Sequence, residues 1–270
     1  MGIVVRQPAV AGYFYPSQPE TLLRDVKSYV SPAAERVRAV GCVAPHAGYM
    51  YSGHVAGAVY ARLELPRRFV ILCPNHTGTG EPLAIMSSGA WKTPLGEARI
   101  DEELAGRLRA GFSYLSEDAG AHRREHALEV QLPFLQVLLG DFTFVPIAVG
   151  VGGYPPLAAL GEALAAALAG EQEPPLIIAS SDMNHYESDA VTRVKDHKAI
   201  ERILALDPRG LYEVVAREDI SMCGYGPTVA MLTAARKLGA SSAELVKYAT
   251  SGDISGDRER VVGYAGVIVR

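Results

Sequence analysis

Three histidines in this chain follow short apolar runs that read as buried strands. GCVAP leads into His46, FVILCP leads into Asn75 and His76, and LIIASS leads into Asp182 and then His185. A fourth reactive side chain, Cys223, sits in SMCGYGP, where Gly224, Gly226 and Pro227 mark a turn before a helix. Imidazoles and a thiolate together suit iron, copper or zinc, whereas magnesium and calcium prefer oxygen donors. An Asp and a His at one strand exit also supply the groups needed for general acid–base work. No HExxH helix, CxxC knuckle, GxSxG elbow or GxxxxGK[ST] loop occurs, so any metal site here is assembled from distant segments.

Taken singly, each histidine reads as well as a core or surface imidazole satisfied by a backbone carbonyl. What favours assembly is that three separate strand exits carry the same chemistry. Pro45 and Pro74 stiffen the exits, and Gly48 and Gly78 permit tight turns beside a ligand. Cys223 lies where a helix N-terminus lowers a thiol pKa, with Pro227 expected at the first helical position; its alternative is a small buried hydrophobe. Cys42 and Cys73 lie inside apolar strands and read as core. The segment from Arg124 to Gln136 reads as a helix whose polar start, Glu125 and His126, either lines the pocket or is a charged first turn. On that helix His126 and Glu129, three apart, share a face. Tyr49, Tyr51 and Tyr186 flank the strand exits, and His54, His122 and His197 read as helical or solvated.

The elements that must position these groups follow from periodicity. Val40–Ala44, Phe69–Cys73, Phe142–Val149, Leu176–Ser180 and Val261–Val269 read as buried strands. Amphipathic stretches alternate with them at Glu20–Val30, His54–Leu63, Asp101–Ala110, Glu125–Leu139, Leu157–Leu168, Val191–Leu206 and Pro227–Leu238. This alternation predicts a mostly parallel sheet covered on both faces, with ligand chemistry outside the carboxyl ends of its strands. A closing hairpin, Glu244–Ala249 with Val261–Val269 across SGDISGDRE, makes the sheet mixed. No repeat or linker divides the chain, and one domain over residues 1–270 is the simplest account.

Bulk composition narrows the function classes. The formal charge is -4 and the pI about 6.0, which gives no electrostatic footprint for nucleic acid or an anionic membrane. No apolar run approaches the roughly 18 residues of a spanning helix, and the start lacks the regions of a signal peptide. Met1-Gly2 does not continue into a myristoylation motif. With three cysteines and no disulfide framework, the expected location is cytoplasmic.

Six stretches taken together resemble the Memo family: VRQPAVAGYFYP near the start, PHAGYMYSG at 45–53, PNHTGTG at 74–80, EHALEVQLPFLQ at 125–136, SSDMNHY at 180–186 and CGYGP at 223–227. They run in order over nearly the whole chain. The family is similar to the second component of the prokaryotic AmmeMemoRadiSam set, and similar in fold to the class III extradiol ring-cleaving dioxygenases, which use non-haem iron. The resemblance implies a three-layer α/β/α sandwich with one pocket. It implies His46, His76 and Cys223 as metal ligands, with His185, beside Asp182, in the place of the dioxygenases' acid–base histidine. Ferrous iron is the expected metal, with copper or zinc as alternatives.

A thiolate in place of the dioxygenases' carboxylate donates more electron density and is itself oxidisable, so ring cleavage does not transfer with the fold. Three functions follow as expectations. One is a metal-dependent redox enzyme acting on an unidentified small molecule. Another is a binding module working with AMMECR-type and radical SAM partners. The third is a metal-assisted hydrolase.

Overall fold

The computed structural model describes residues 4–30 and 35–270, so the Met1-Gly2 opening lies outside the described residues. The strands are β1 (Val5–Arg6), β2 (Gly41–Ala44), β3 (Arg68–Pro74), β4 (Leu83–Ile85), β5 (Ala90–Thr93), β6 (Gly96–Ile100), β7 (Ser116–Glu117), β8 (Thr143–Val149), β9 (Leu176–Ser180), β10 (His185–Glu187), β11 (Ala243–Thr250) and β12 (Val261–Val269). The helices are α1 (Pro19–Tyr29), α2 (Tyr49–Arg62), α3 (Glu102–Gly111), α4 (Ala119–His122), α5 (Leu132–Leu139), α6 (Tyr154–Leu168), α7 (Asp189–Leu204), α8 (Pro208–Arg217), α9 (Tyr225–Lys237) and α10 (Gly252–Ser255).

These strands form one sheet whose centre, β8-β3-β9-β2, is parallel throughout. Their sequences explain the placement. GCVA, LIIAS and most of RFVILCP and TFVPIAV are apolar and buried, as strands covered on both faces must be. Antiparallel pairing begins outside this centre. β12 pairs with β2, β11 and β10 on one side, while β5 pairs with β6 and β4 with β8 on the other. Helix α9 lies across β2, β3 and β9 with α6 and α8 packed on it, while α2 covers β2, β11 and β12 beside α1 and α5. The result is a three-layer α/β/α sandwich with a mixed sheet. No helix among the described residues is long and apolar enough to cross a membrane.

All six expected strands form, the hairpin strand Glu244–Ala249 as β11, and two of them, Leu176–Ser180 and Val261–Val269, have the expected bounds. The helix expected over Glu125–Leu139 does not. Residues 125–128 are irregular, Glu129–Gln131 is a short 3-10 turn, and α5 begins only at Leu132. Pro133 in its first turn is the physical reason. A helix running in from residue 125 would set the proline ring against the carbonyl of Glu129 and lose a hydrogen bond. The last hairpin carries the short helix α10 in its connection. The small strands between residues 83 and 117 and helix α8 were not expected. They are short, and several carry charged residues at exposed positions.

Candidate metal centre

Because β3, β9 and β2 are neighbours and parallel, their carboxyl ends lie side by side. The residues that follow them, His46, His76 and Asp182, therefore line one cavity of about 470 Å³ together with His126, His185 and Cys223. One donor atom each from His46, His76 and Cys223 falls within 4.8 Å of the others. The imidazoles of His46 and His76 meet edge to face at 5.2 Å, and the Cys223 sulfur stands 3.2 Å from Nε2 of His46.

Each imidazole is held by its far nitrogen. Nδ1 of His46 lies 2.9 Å from the Ser180 hydroxyl. That hydroxyl donates its one proton to the Ala127 carbonyl and accepts from the Gln131 amide. Ser180 can therefore only accept from His46, which fixes the proton on Nδ1 and leaves Nε2 as a lone pair facing Cys223. Nδ1 of His76 is held at 2.8 Å by the Glu125 carboxylate, which also accepts from the His76 and Ala127 amides. Nδ1 of His185 donates to the Ser221 carbonyl at 2.9 Å, again leaving Nε2 open. Anchoring the outer nitrogen by a carboxylate, hydroxyl or carbonyl is how metal-binding histidines are oriented.

Burial favours the neutral form of His46 and His126. Burial, reinforced by His76 and opposed by Glu125, holds the His46 imidazole well below its ordinary range. Burial likewise takes His126 down to about 4. Burial would raise Glu125, but its hydrogen bond to His76, its electrostatic interaction with that ring and the Ala127 amide bring it down to about 2. Asp182 is raised by burial against the hydrogen bond its Oδ1 accepts from the His46 amide. The thiol of Cys223 departs from expectation. Burial, then the charge of Asp182, pushes it up, so the helix terminus does not yield a free thiolate. Cys223 precedes the cap Gly224, and Pro227 is the third residue of α9 rather than the first. Gly224 is needed for close approach, since a Cβ there would sit 2.4 Å from the Ser180 carbonyl oxygen and from the Ser181 side chain.

The other expected residues divide. Glu125 and His126 reach the site, but from an irregular segment, not from a helix start. The His126 ring stacks on His76 at 4.7 Å and tilts against Phe14 at 4.6 Å. Glu129 shares no helix face with His126. It is buried and accepts hydrogen bonds from the Ala9 and Val10 amides, the Tyr15 hydroxyl and the Arg6 guanidinium. A second set, His76, Glu125 and His126, also brings donor atoms together, but the Glu125 oxygens are already occupied by three N–H donors.

Tyr49 is buried with its hydroxyl on the Val130 carbonyl, whereas Tyr186 is exposed at the cavity mouth. His122, expected in solvent, is fully buried beside Trp91. Cys42 and Cys73 are core residues, as expected. Gly78 has the positive φ of a tight turn, but Gly48 has an ordinary backbone and caps α2.

The comparisons with known proteins agree with this architecture. A family model described as Memo-like protein matches residues 6–268. A MEMO1 family protein of Pyrobaculum aerophilum is 46% identical, with 98% of each chain covered. One from Methanopyrus kandleri is 44% identical over 98% of this chain and 99% of that one, and one from Methanosarcina barkeri is 46% identical over 98% and 100%. The crystal structure of an uncharacterized protein from Escherichia coli K12 shares the fold, with a TM-score of 0.59 at 13% identity over 86% of this chain and 100% of that chain. From the length of the family match and the identity to these relatives, the chain belongs to the Memo family.

Proposed function

We propose that the cavity holds one transition metal on His46, His76 and Cys223, and that the protein is a metal-dependent redox enzyme acting on a small molecule. The observation that carries this reading is the orientation of the two imidazoles. Each has its Nδ1 fixed from behind, by Ser180 and by Glu125, and each offers a donor atom to the point that Cys223 also faces. A neutral buried histidine costs nothing to deprotonate before ligation. Two imidazoles with a sulfur fit ferrous iron, and fit copper or zinc as alternatives. A bound iron would supply one-electron chemistry and a Lewis acid.

The remaining roles belong to side chains. His185, with Nδ1–H on the Ser221 carbonyl, presents Nε2 to the cavity as the atom that would take a proton from a bound ligand. Asp182 holds the His46 amide through Oδ1, and burial raises its carboxyl above the ordinary carboxylate range beside the site. Cys223, whose thiol burial holds in the protonated form in the metal-free protein, would hold the metal as its thiolate.

The test is elemental analysis of protein purified anaerobically without an affinity tag, beside a His46→Ala, His76→Ala double variant. Near-stoichiometric iron or copper in the parent and none in the variant is expected, with oxygen consumption lost on Cys223→Ser. No metal in the parent, and none taken up on addition of Fe(II), Cu or Zn, would sink the reading. In a cell-based assay, full rescue by His46→Ala would instead favour a non-catalytic scaffold, with AMMECR-type and radical SAM proteins as the partners that the family resemblance implies. Hydrolysis of esters or amides without oxygen would instead assign a metal-assisted hydrolase.

A further inference from the structure

Tyr186 sits in a backbone conformation that its side chain does not favour. It falls between His185, paired with Val262, and Glu187, paired with Val261, so it is the extra residue of a β-bulge against β12. Its φ is 63°, in the left-handed region that a side chain other than glycine enters at a cost. The ring gains little burial in return, being 65% exposed. A bulge re-aims a side chain, and strain of this kind concentrates where a side chain must face a ligand. The ring lines the mouth of the cavity, 5.6 Å from the His185 imidazole.

A cation accompanies it. The Arg260 guanidinium lies over the Tyr186 ring at 5.7 Å, on the residue just before β12. Nearby charges are paired. Arg258 bridges Asp189 and Asp253, and Glu187 pairs with Lys195. Arg260 is exposed and forms no ion pair among the described residues. The mouth of the cavity therefore presents a flat ring, with a cation over that ring just outside the residues that line the cavity. Within, Phe14, Ala47 and Val262 add apolar wall beside the histidines. At about 470 Å³ the cavity is of small-molecule size.

We propose that Tyr186 and Arg260 select the ligand: a small planar organic acid whose flat body lies against the Tyr186 ring and whose carboxylate pairs with Arg260. This rests on the reading that the cavity is the ligand site of the metal-dependent reaction, and it names the class of ligand. A guanidinium over the ring, without a carboxylate partner of its own among the described residues, is free to meet the carboxylate of a ligand. The bulge sets the ring at the cavity mouth, and the cation lies over the ring.

Benzoate and its neutral counterpart benzamide test this by titration, followed by calorimetry or by NMR of the pocket histidines, with metal content measured on the same samples. The parent is expected to bind benzoate more tightly than benzamide. Arg260→Gln should weaken benzoate roughly three- to tenfold and abolish the preference, with metal content and thermal midpoint unchanged. Tyr186→Gly, which relieves the backbone and removes the ring, should weaken both probes. Equal affinity of the parent for the two probes would overturn the proposal. So would a benzoate preference that survives in Arg260→Gln, since recognition would then lie with the inner residues. The probes are read whether or not metal is present, so failure of the metal assignment and failure of the rim assignment are separate results.

Discussion

The Nδ1 atom of His46 and the hydroxyl of Ser180 are 2.9 Å apart, and the Ser180 proton is already directed at the Ala127 carbonyl. Behind them the Tyr60 hydroxyl donates to Gln131, whose amide group donates to Ser180 and to the Pro45 carbonyl. Every donor in this buried chain has one available acceptor, so the His46 tautomer is fixed by elimination. Ser180→Ala should let the ring exchange tautomers and should lower metal affinity about 10- to 100-fold, the usual loss for an outer-shell partner. Nitrogen NMR of the metal-free protein should find the proton on Nδ1 in the parent and on both nitrogens in the variant. Unchanged affinity with an unchanged tautomer would refute the relay.

The partner of His76 is a charge rather than a hydroxyl. Glu125 takes both the amide and Nδ1 of His76 as well as the Ala127 amide. Glu125→Gln keeps the shape but turns an amide N–H toward groups that are themselves donors. Two losses are expected: about 10- to 100-fold in metal affinity, and about 1–3 kcal/mol in stability from unsatisfied buried donors. Competition with a chelator measures the first, and denaturant unfolding of the metal-free protein measures the second. A variant that loses stability yet binds metal as the parent does would show that Glu125 serves the fold alone.

How far the chain could be read in advance depended on whether the signal was local. β9 and β12 were legible to the residue because an unbroken apolar run between polar ends has one reading, a buried strand. The convergence of His46 and His76 was legible because parallel neighbours must place their carboxyl ends together. The segment around Glu125 was not legible from its periodicity, which is helical. Pro133 was the overlooked signal. Asn184, Asp196 and Ser221 carried no signal at all. Asn184 accepts from the Ser221 amide and hydroxyl, and Ser221 in turn holds His185. These are ordinary polar residues whose roles exist only once β10 and the loop before α9 are adjacent. The thiol of Cys223 was misjudged because a helix dipole is readable from sequence and burial is not.

Asp196 gives the clearest dependence on pH. It is buried behind β10, accepts from the Asn184 amide and the Tyr248 hydroxyl, and has His197 and Arg193 nearby on its own helix. Burial raises its carboxyl to about 7, against these hydrogen bonds and charges. With the folded pKa above the unfolded value, the native state holds the proton more tightly. Its contribution is complete below about pH 4 and is lost as pH rises toward 7, by on the order of 4 kcal/mol at most. Asp196→Asn should flatten this slope and gain on the parent as pH increases. Denaturant unfolding at pH 4.5, 6 and 8 checks it, and parallel curves for the two proteins would contradict it.

The buried pair of Arg6 and Glu129 separates two costs that are often merged. Glu129 takes the Ala9 and Val10 amides, the Tyr15 hydroxyl and the guanidinium, while Arg6 also donates to the His122 and Glu125 carbonyls. Removing either partner of a buried ion pair costs about 3–5 kcal/mol, because the other charge is left in the interior. The two deletions should nonetheless differ. Arg6→Met leaves a carboxylate that still has three donors. Glu129→Leu leaves a guanidinium, two amides and a hydroxyl without their acceptor. Glu129→Leu should therefore be the more destabilising, and adding Arg6→Met to it should recover part of the loss by removing the stranded charge. If the double variant proved less stable than Glu129→Leu alone, the guanidinium's hold on the carbonyls of His122 and Glu125 would outweigh its charge, and Arg6 would act chiefly by fixing the segment that carries Glu125 to His76.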